Sequence, residues 1–122
     1  MDLTSLLAIS IRSRLFCRIV RREIPAKIVH EDEHTLAFRD IDPKAPTHVL
    51  VIPKKHIATL NDATDPTLVG RLLIAAKEIA ADEGIADDGY RAIVNCGAGA
   101  GQTVFHLHLH LLGGRSLGWP PG

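Results

Sequence analysis

The chain has 122 residues, enough for a single domain with its own apolar core and no need of disulfides or a metal to fold. Lys+Arg 14 balances Asp+Glu 14, so no net field attracts nucleic acid or an anionic membrane, and any phosphate recognition must be local. Cys17 and Cys96 form neither a C-x-x-C pair nor a secreted disulfide framework, which points to a reducing, cytoplasmic setting. No apolar run approaches the roughly 20 residues of a membrane helix.

Residues 1–12 hold the short apolar run Leu6-Leu7-Ala8-Ile9-Ser10-Ile11, preceded by Asp2 rather than a basic cluster. They read as an N-terminal extension and not a signal segment, leaving 13–122 as one domain. Ser13 is placed to cap a short helix with Leu15, Phe16, Ile19 and Val20 on one face, ended by Pro25. Lys27 to His30 and Leu36 to Arg39 are β-prone runs around the acidic tip Glu31-Asp32-Glu33, which suits a hairpin. After the turn-rich Asp42-Pro43-Lys44-Ala45-Pro46, His48 to Ile52 is apolar enough for a buried central strand, stopped by Pro53.

Asp65 as N-cap and Pro66 at the first position open the clearest helix. Leu68, Leu72, Leu73, Ala76, Ile79 and Ala80 form its stripe, and Gly84 its left-handed stop. Tyr90 to Asn95 reads as another strand. The glycine loop Gly97-Ala98-Gly99-Ala100-Gly101 then leads into a last strand over Val104 to Leu112. The order predicts an α+β fold, an antiparallel sheet of about five strands with one long and one short helix.

His106-Leu107-His108-Leu109-His110-Leu111-Leu112 alternates strictly, so a pleated strand sends the imidazoles to one face and the leucines to the other. The leucines explain themselves as core; a row of three titratable rings is poor material for structure alone. One metal ion does not suit all three, because the outer pair lies about 13 Å apart at Cα while zinc needs its nitrogens at about 2.0–2.1 Å. A two-histidine metal site would need further ligands from elsewhere. Phosphorus chemistry fits better. A neutral imidazole is a competent nucleophile, and Gly97, Gly99 and Gly101 let backbone N–H groups approach an anion, with Thr103 adding a hydroxyl.

The run His106 to Leu112 matches the His-φ-His-φ-His-φ-φ signature of the histidine triad superfamily, and the chain resembles its purine nucleoside phosphoramidase branch, the histidine triad nucleotide-binding proteins. Further matches are Phe16-Cys17-Arg18-Ile19-Val20, Glu23-Ile24-Pro25-Ala26-Lys27, Phe38-Arg39-Asp40-Ile41, Ala45-Pro46-Thr47-His48, Ile52-Pro53-Lys54-Lys55-His56, Gly101-Gln102-Thr103-Val104-Phe105 and Trp119-Pro120-Pro121-Gly122. The resemblance implies a HIT-like fold and a nucleotide hydrolase. His108 would attack the α-phosphorus of a purine nucleoside phosphoramidate, supported by His106, His110 and His48. Asn95, Gly101, Gln102 and Thr103 would line the phosphate. Asp40 and Ile41 would meet the ribose, and Phe16, Ile19, Ile24 and Phe38 the purine. Composition alone reads those last four as core, and both readings stand at this point.

The resemblance further implies purine nucleotides (AMP, GMP and their phosphoramidates) as ligands and a homodimer in which Trp119 reaches the partner's active-site rim. It implies no cofactor. Some relatives bind structural zinc through C-x-x-C where this chain has Arg14-Leu15-Phe16-Cys17. Arg14 cannot replace a thiolate, so no metal is expected. His56 matches a family position and is expected to make a structural hydrogen bond. The competing class is a nucleotide-binding regulatory protein whose hydrolysis is incidental.

Overall fold

The computed structural model describes residues 14–122, so the expected Ser13 cap and the 1–12 extension lie outside the described residues. Helix α1 covers 14–20, followed by strands β1 (Ile28–Glu31), β2 (Thr35–Arg39) and β3 (Thr47–Pro53). Helix α2 (Pro66–Asp82) precedes strands β4 (Tyr90–Val94) and β5 (Leu109–Gly113). The sheet is antiparallel throughout and runs β1-β2-β3-β5-β4, which bears out the expected α+β class.

Local chemistry sets the joints. Asp32 Oδ1 accepts the amides of His34 and Thr35, both at 2.9 Å, and closes the first hairpin. Asp65 Oδ1 accepts Thr67 N–H at 2.9 Å, the cap expected for α2, and Gly84 adopts φ 74° beyond its end. The short helix α1 ends earlier than Pro25 implied. Its chain turns at Arg22, φ 63°, with Glu23 N–H bonded back to the Arg18 carbonyl at 2.9 Å.

Strand alternation divides the interior into two cores. Ala37, Val49, Val51, Leu109 and Leu111 face α2 and pack on Leu72, Ala75, Ala76, Ile79 and Ala80. Leu36, Phe38, Leu50 and Ile52 point the opposite way and pack on Phe16 and Ile19 of α1. Strand β3 is therefore buried on both faces, as its unbroken apolar run predicts. The expected α2 stripe was drawn too wide at Leu73, which is 52% exposed, while Ala75 takes a buried place.

The last strand is shorter than the alternation suggests, starting at Leu109 rather than Val104. Upstream of the Val51–Leu109 pair the chain leaves the β3 ladder. The Pro53 carbonyl, which a ladder amide would have taken, accepts His106 Nε2–H at 2.7 Å, and Leu107 N–H turns to the Ile57 carbonyl at 2.6 Å. Alternation survives without the ladder: Leu107 joins the α2 core while His106 and His108 are buried near Phe16.

Candidate active site

His110 sits on β5 and His48 on the adjacent β3, two residues apart in register and so on the same face, because Leu50 pairs with His110 and His48 with Leu112. Their rings meet at 2.9 Å, His48 Nε2 to His110 Nδ1. The His108 ring follows, its centroid 4.9 Å from that of His110, with Phe16 edge-on to it at 5.1 Å. His48, His108 and His110 thus form one connected group where α1, β3 and β5 converge.

Backbone groups decide which nitrogen of each ring carries the proton. A carbonyl can only accept, so His108 Nδ1, 2.7 Å from the His106 carbonyl, must donate. That leaves Nε2 of His108 with a free lone pair. His106 Nε2 donates to the Pro53 carbonyl in the same way, so its Nδ1 bears the lone pair. An amide can only donate, so His48 Nδ1 accepts Lys44 N–H at 3.0 Å and His48 carries its proton on Nε2. That proton goes to His110 Nδ1, which leaves the His110 proton on Nε2.

Burial keeps the group uncharged. It pushes His106 and His110 down to about 4, with neighbouring rings adding to the effect. His48 and His108 are also lowered by burial, against the pull of the Asp40 carboxylate. At neutral pH the site offers imidazole lone pairs rather than cations.

Two clefts flank the group. One, about 650 Å³, is lined by Asp40, Lys44, His48, Asn95, His110 and the C-terminal Pro121-Gly122. The other, about 570 Å³, lies beside Asp40, Ile41 and His48 and is walled by Pro25, Ala26, Pro43 and Pro46. Asp40 and His48 border both clefts, Asn95 and His110 the first and Ile41 the second. Ile41 is fully exposed at the cleft, open to a ligand. Phe16, Ile19 and Phe38 are closed into the α1 core, and Ile24 packs on its margin.

The glycine loop carries a 3-10 turn at Ala98–Ala100, with Gly97 and Gly101 at φ 87° and 93°. Gln102, expected at the phosphate, follows directly on this loop. Its side chain is buried and spent on structure, accepting Gly97 N–H at 2.8 Å and donating to the Ala58 and Val104 carbonyls at 2.9 and 3.1 Å. Gly101 and Thr103 stay exposed beside it. Trp119 is 82% exposed, with the Arg91 guanidinium 5.8 Å from its ring centre.

Two donor groups bear on metal binding. Asp40, His48 and His110 converge, but His48 presents a proton where a ligand needs a lone pair. Cys17, His56 and His106 fit better: Cys17 Sγ lies 3.3 Å from His56 Nδ1 and 3.5 Å from His106 Nδ1, and the two nitrogens are 3.4 Å apart. Donors on a zinc tetrahedron, at Zn–N of about 2.0–2.1 Å and Zn–S of about 2.3 Å, stand about 3.3–3.6 Å apart. These three residues would hold zinc at three corners, where it would supply a structural tie between α1 and the segment before β5. Arg14 and Arg21 line the remaining side, so the missing thiolate that Arg14 signals is real, while three converging donors were overlooked. His56 makes the expected structural contacts.

The model of the HIT domain matches residues 21–117. The chain belongs to the HIT domain family. The histidine group at the meeting of β3 and β5 thus lies within a HIT domain. A HIT-like protein of Synechococcus elongatus is 59% identical over 110 residues, covering 88% of this chain and 96% of that relative. The purine nucleoside phosphoramidase of Escherichia coli K12 is 53% identical over 106 residues, covering 85% and 89%. A HIT family hydrolase of Legionella pneumophila superposes with TM-score 0.87 at 57% identity, covering 88% of this chain and 98% of that one.

Proposed function

We propose that this HIT hydrolase cleaves the P–N bond of adenosine or guanosine 5′-phosphoramidates and releases the nucleoside monophosphate and an amine. The observation that carries the reading is the 2.7 Å bond from His108 Nδ1 to the His106 carbonyl, which leaves Nε2 as an uncharged nucleophile. In the first step Nε2 forms a bond to the α-phosphorus as the P–N bond breaks, and the departing nitrogen takes a proton from solvent water and leaves as the amine; the attacking water of the second step returns that proton to solvent. In the second, water attacks the phosphorus of the nucleotidyl-histidine, the P–Nε2 bond breaks, and the monophosphate departs. Splitting one displacement into two easier ones is the general advantage of covalent catalysis.

The buried, neutral neighbours favour this role, since protonation of the cluster would remove the lone pair. Asn95, Gly101 and Thr103 are the phosphate contacts of this reading, Asp40 and Ile41 the ribose contacts, and the proline-walled cleft next to Asp40 the place of the purine. The protein works as a homodimer in the cytoplasm. The outer edge of β4, which pairs with no further strand among the described residues, and the exposed Trp119 support a two-fold partner. The decisive experiment follows AMP release from an adenosine phosphoramidate in the presence of EDTA. Sustained release is expected. AMP binding without turnover would make the protein a nucleotide-binding module, and turnover abolished by EDTA would overturn the metal-free mechanism.

A further inference from the structure

Arg115 touches none of the histidines, yet it is bonded to the loop that sets one of them. Its Nη2 donates to the Lys44 carbonyl at 2.7 Å and its Nη1 to the Ser116 carbonyl at 2.9 Å. The same Lys44 offers its N–H to His48 Nδ1 at 3.0 Å. Carbonyl and N–H flank one Cα, so fixing the first restrains the direction of the second. The segment between Asp40 and Thr47 contains no helix or strand to do this instead. Its other ties are local: Asp42 N–H to Asp40 Oδ1 at 2.8 Å, and Lys44 Nζ to Asp42 Oδ2 at 2.6 Å.

The residue before Arg115 adds a second hold. Gly114 has φ 88°, and a Cβ there would stand 2.9 Å from Pro46 Cβ, so the backbone after β5 lies directly on this loop.

The Lys44 amide matters because the two neutral forms of an imidazole are chosen by the hydrogen bonds around the ring. With the amide in place, His48 carries its proton on Nε2 and gives it to His110 Nδ1. If the amide turned away, only the more distant Asp40 carboxylate, with Oδ2 3.5 Å from His48 Nε2, would still favour the Nε2 proton, and His48 could hold its proton on Nδ1 part of the time. Its Nε2 lone pair would then face the lone pair of His110 Nδ1 at 2.9 Å, and His110 would have to carry its own proton on Nδ1.

We propose that Arg115 is a positioning residue that, through the Lys44 carbonyl, holds the loop amide fixing the His48 tautomer and directs the His110 proton to Nε2. Its catalytic consequence rests on the hydrolase reading; its effect on the His48 proton does not.

The test is ¹⁵N NMR of the histidine rings in the full chain, beside steady-state kinetics, for wild type, Arg115→Ala and Arg115→Lys. Wild type is expected to carry the His48 proton on Nε2. In Arg115→Ala the two His48 nitrogens should move toward each other in shift as both tautomers become populated. Its kcat should fall about tenfold while KM stays within about twofold. Arg115→Lys, which keeps one donor to the carbonyl, should recover most of both signals. Arg115 is exposed, so the melting temperature serves as the check that the variants fold. An unchanged His48 ¹⁵N pattern in folded Arg115→Ala overturns the proposal, as does a higher KM with kcat intact. Should wild type fail to turn over phosphoramidate, the proposed reaction falls, and the NMR comparison still decides the role of Arg115.

Discussion

In the proposed reaction the attacking nitrogen is chosen by a peptide carbonyl, not by a carboxylate. His108 Nδ1 is committed to the His106 carbonyl, so the whole burden of attack falls on Nε2. His108→Ala removes that atom but leaves Asp40, Asn95, the glycine loop and both clefts in place. AMP affinity should therefore change far less than rate, which should drop by several orders of magnitude, as for loss of a covalent nucleophile elsewhere. Equilibrium binding and single-turnover rates on the same variant separate the two effects. Mass spectrometry of wild type quenched in mid-turnover should find an acid-labile nucleotidyl group on the peptide spanning His106 to His110. A variant that hydrolyses at near wild-type rate would sink the mechanism.

At the scale of elements, the alternation of histidine and leucine was legible because it obeys the pleat: Leu107, Leu109 and Leu111 all reach the α2 core. What alternation could not reveal is that the ladder stops at Leu109. That depends on the Pro53 carbonyl being claimed by a histidine side chain, a long-range event with no local signature. The same applies to His48, whose proton is placed by a loop amide four residues back. Gln102 is legible as a polar residue beside a glycine loop, but the three bonds its side chain makes to backbone as far away as Ala58 are not. Helix α2 was read well at its ends, where capping chemistry is local. Asp65→Ala should remove the bond to Thr67 N–H and cost about 1 kcal/mol in denaturant unfolding. Leu72→Ala, in the core under that helix, should cost about 2–5 kcal/mol, and equal losses at the two positions would contradict the packing described.

For the whole molecule, burial of the histidine group links stability to pH. His106 and His110 titrate near 4 when folded and near the ordinary 6.5 when unfolded. Between those values the unfolded chain binds more protons, so stability is complete above about 6.5 and declines as pH falls toward about 4. The melting temperature should follow that course, and kcat/KM should fall on the same acid side; a melting temperature flat across the window would contradict the burial of these rings. Subunit association belongs to this scale as well. Sedimentation at micromolar concentration should give twice the chain's 13.2 kDa, and a monomer there would remove the partner from the proposed site.

The two-faced sheet has a consequence for quality control. A slip of one residue between β3 and β5 would turn His110 toward α2 and Leu109 and Leu111 toward the histidine group. The error that abolishes catalysis would at the same moment put a polar ring into the hydrophobic interior. No long-lived species can then be well packed in the wrong alignment yet merely inactive. A preparation in which half the chains carry that misalignment should lose half its turnover and half its cooperative melting transition together.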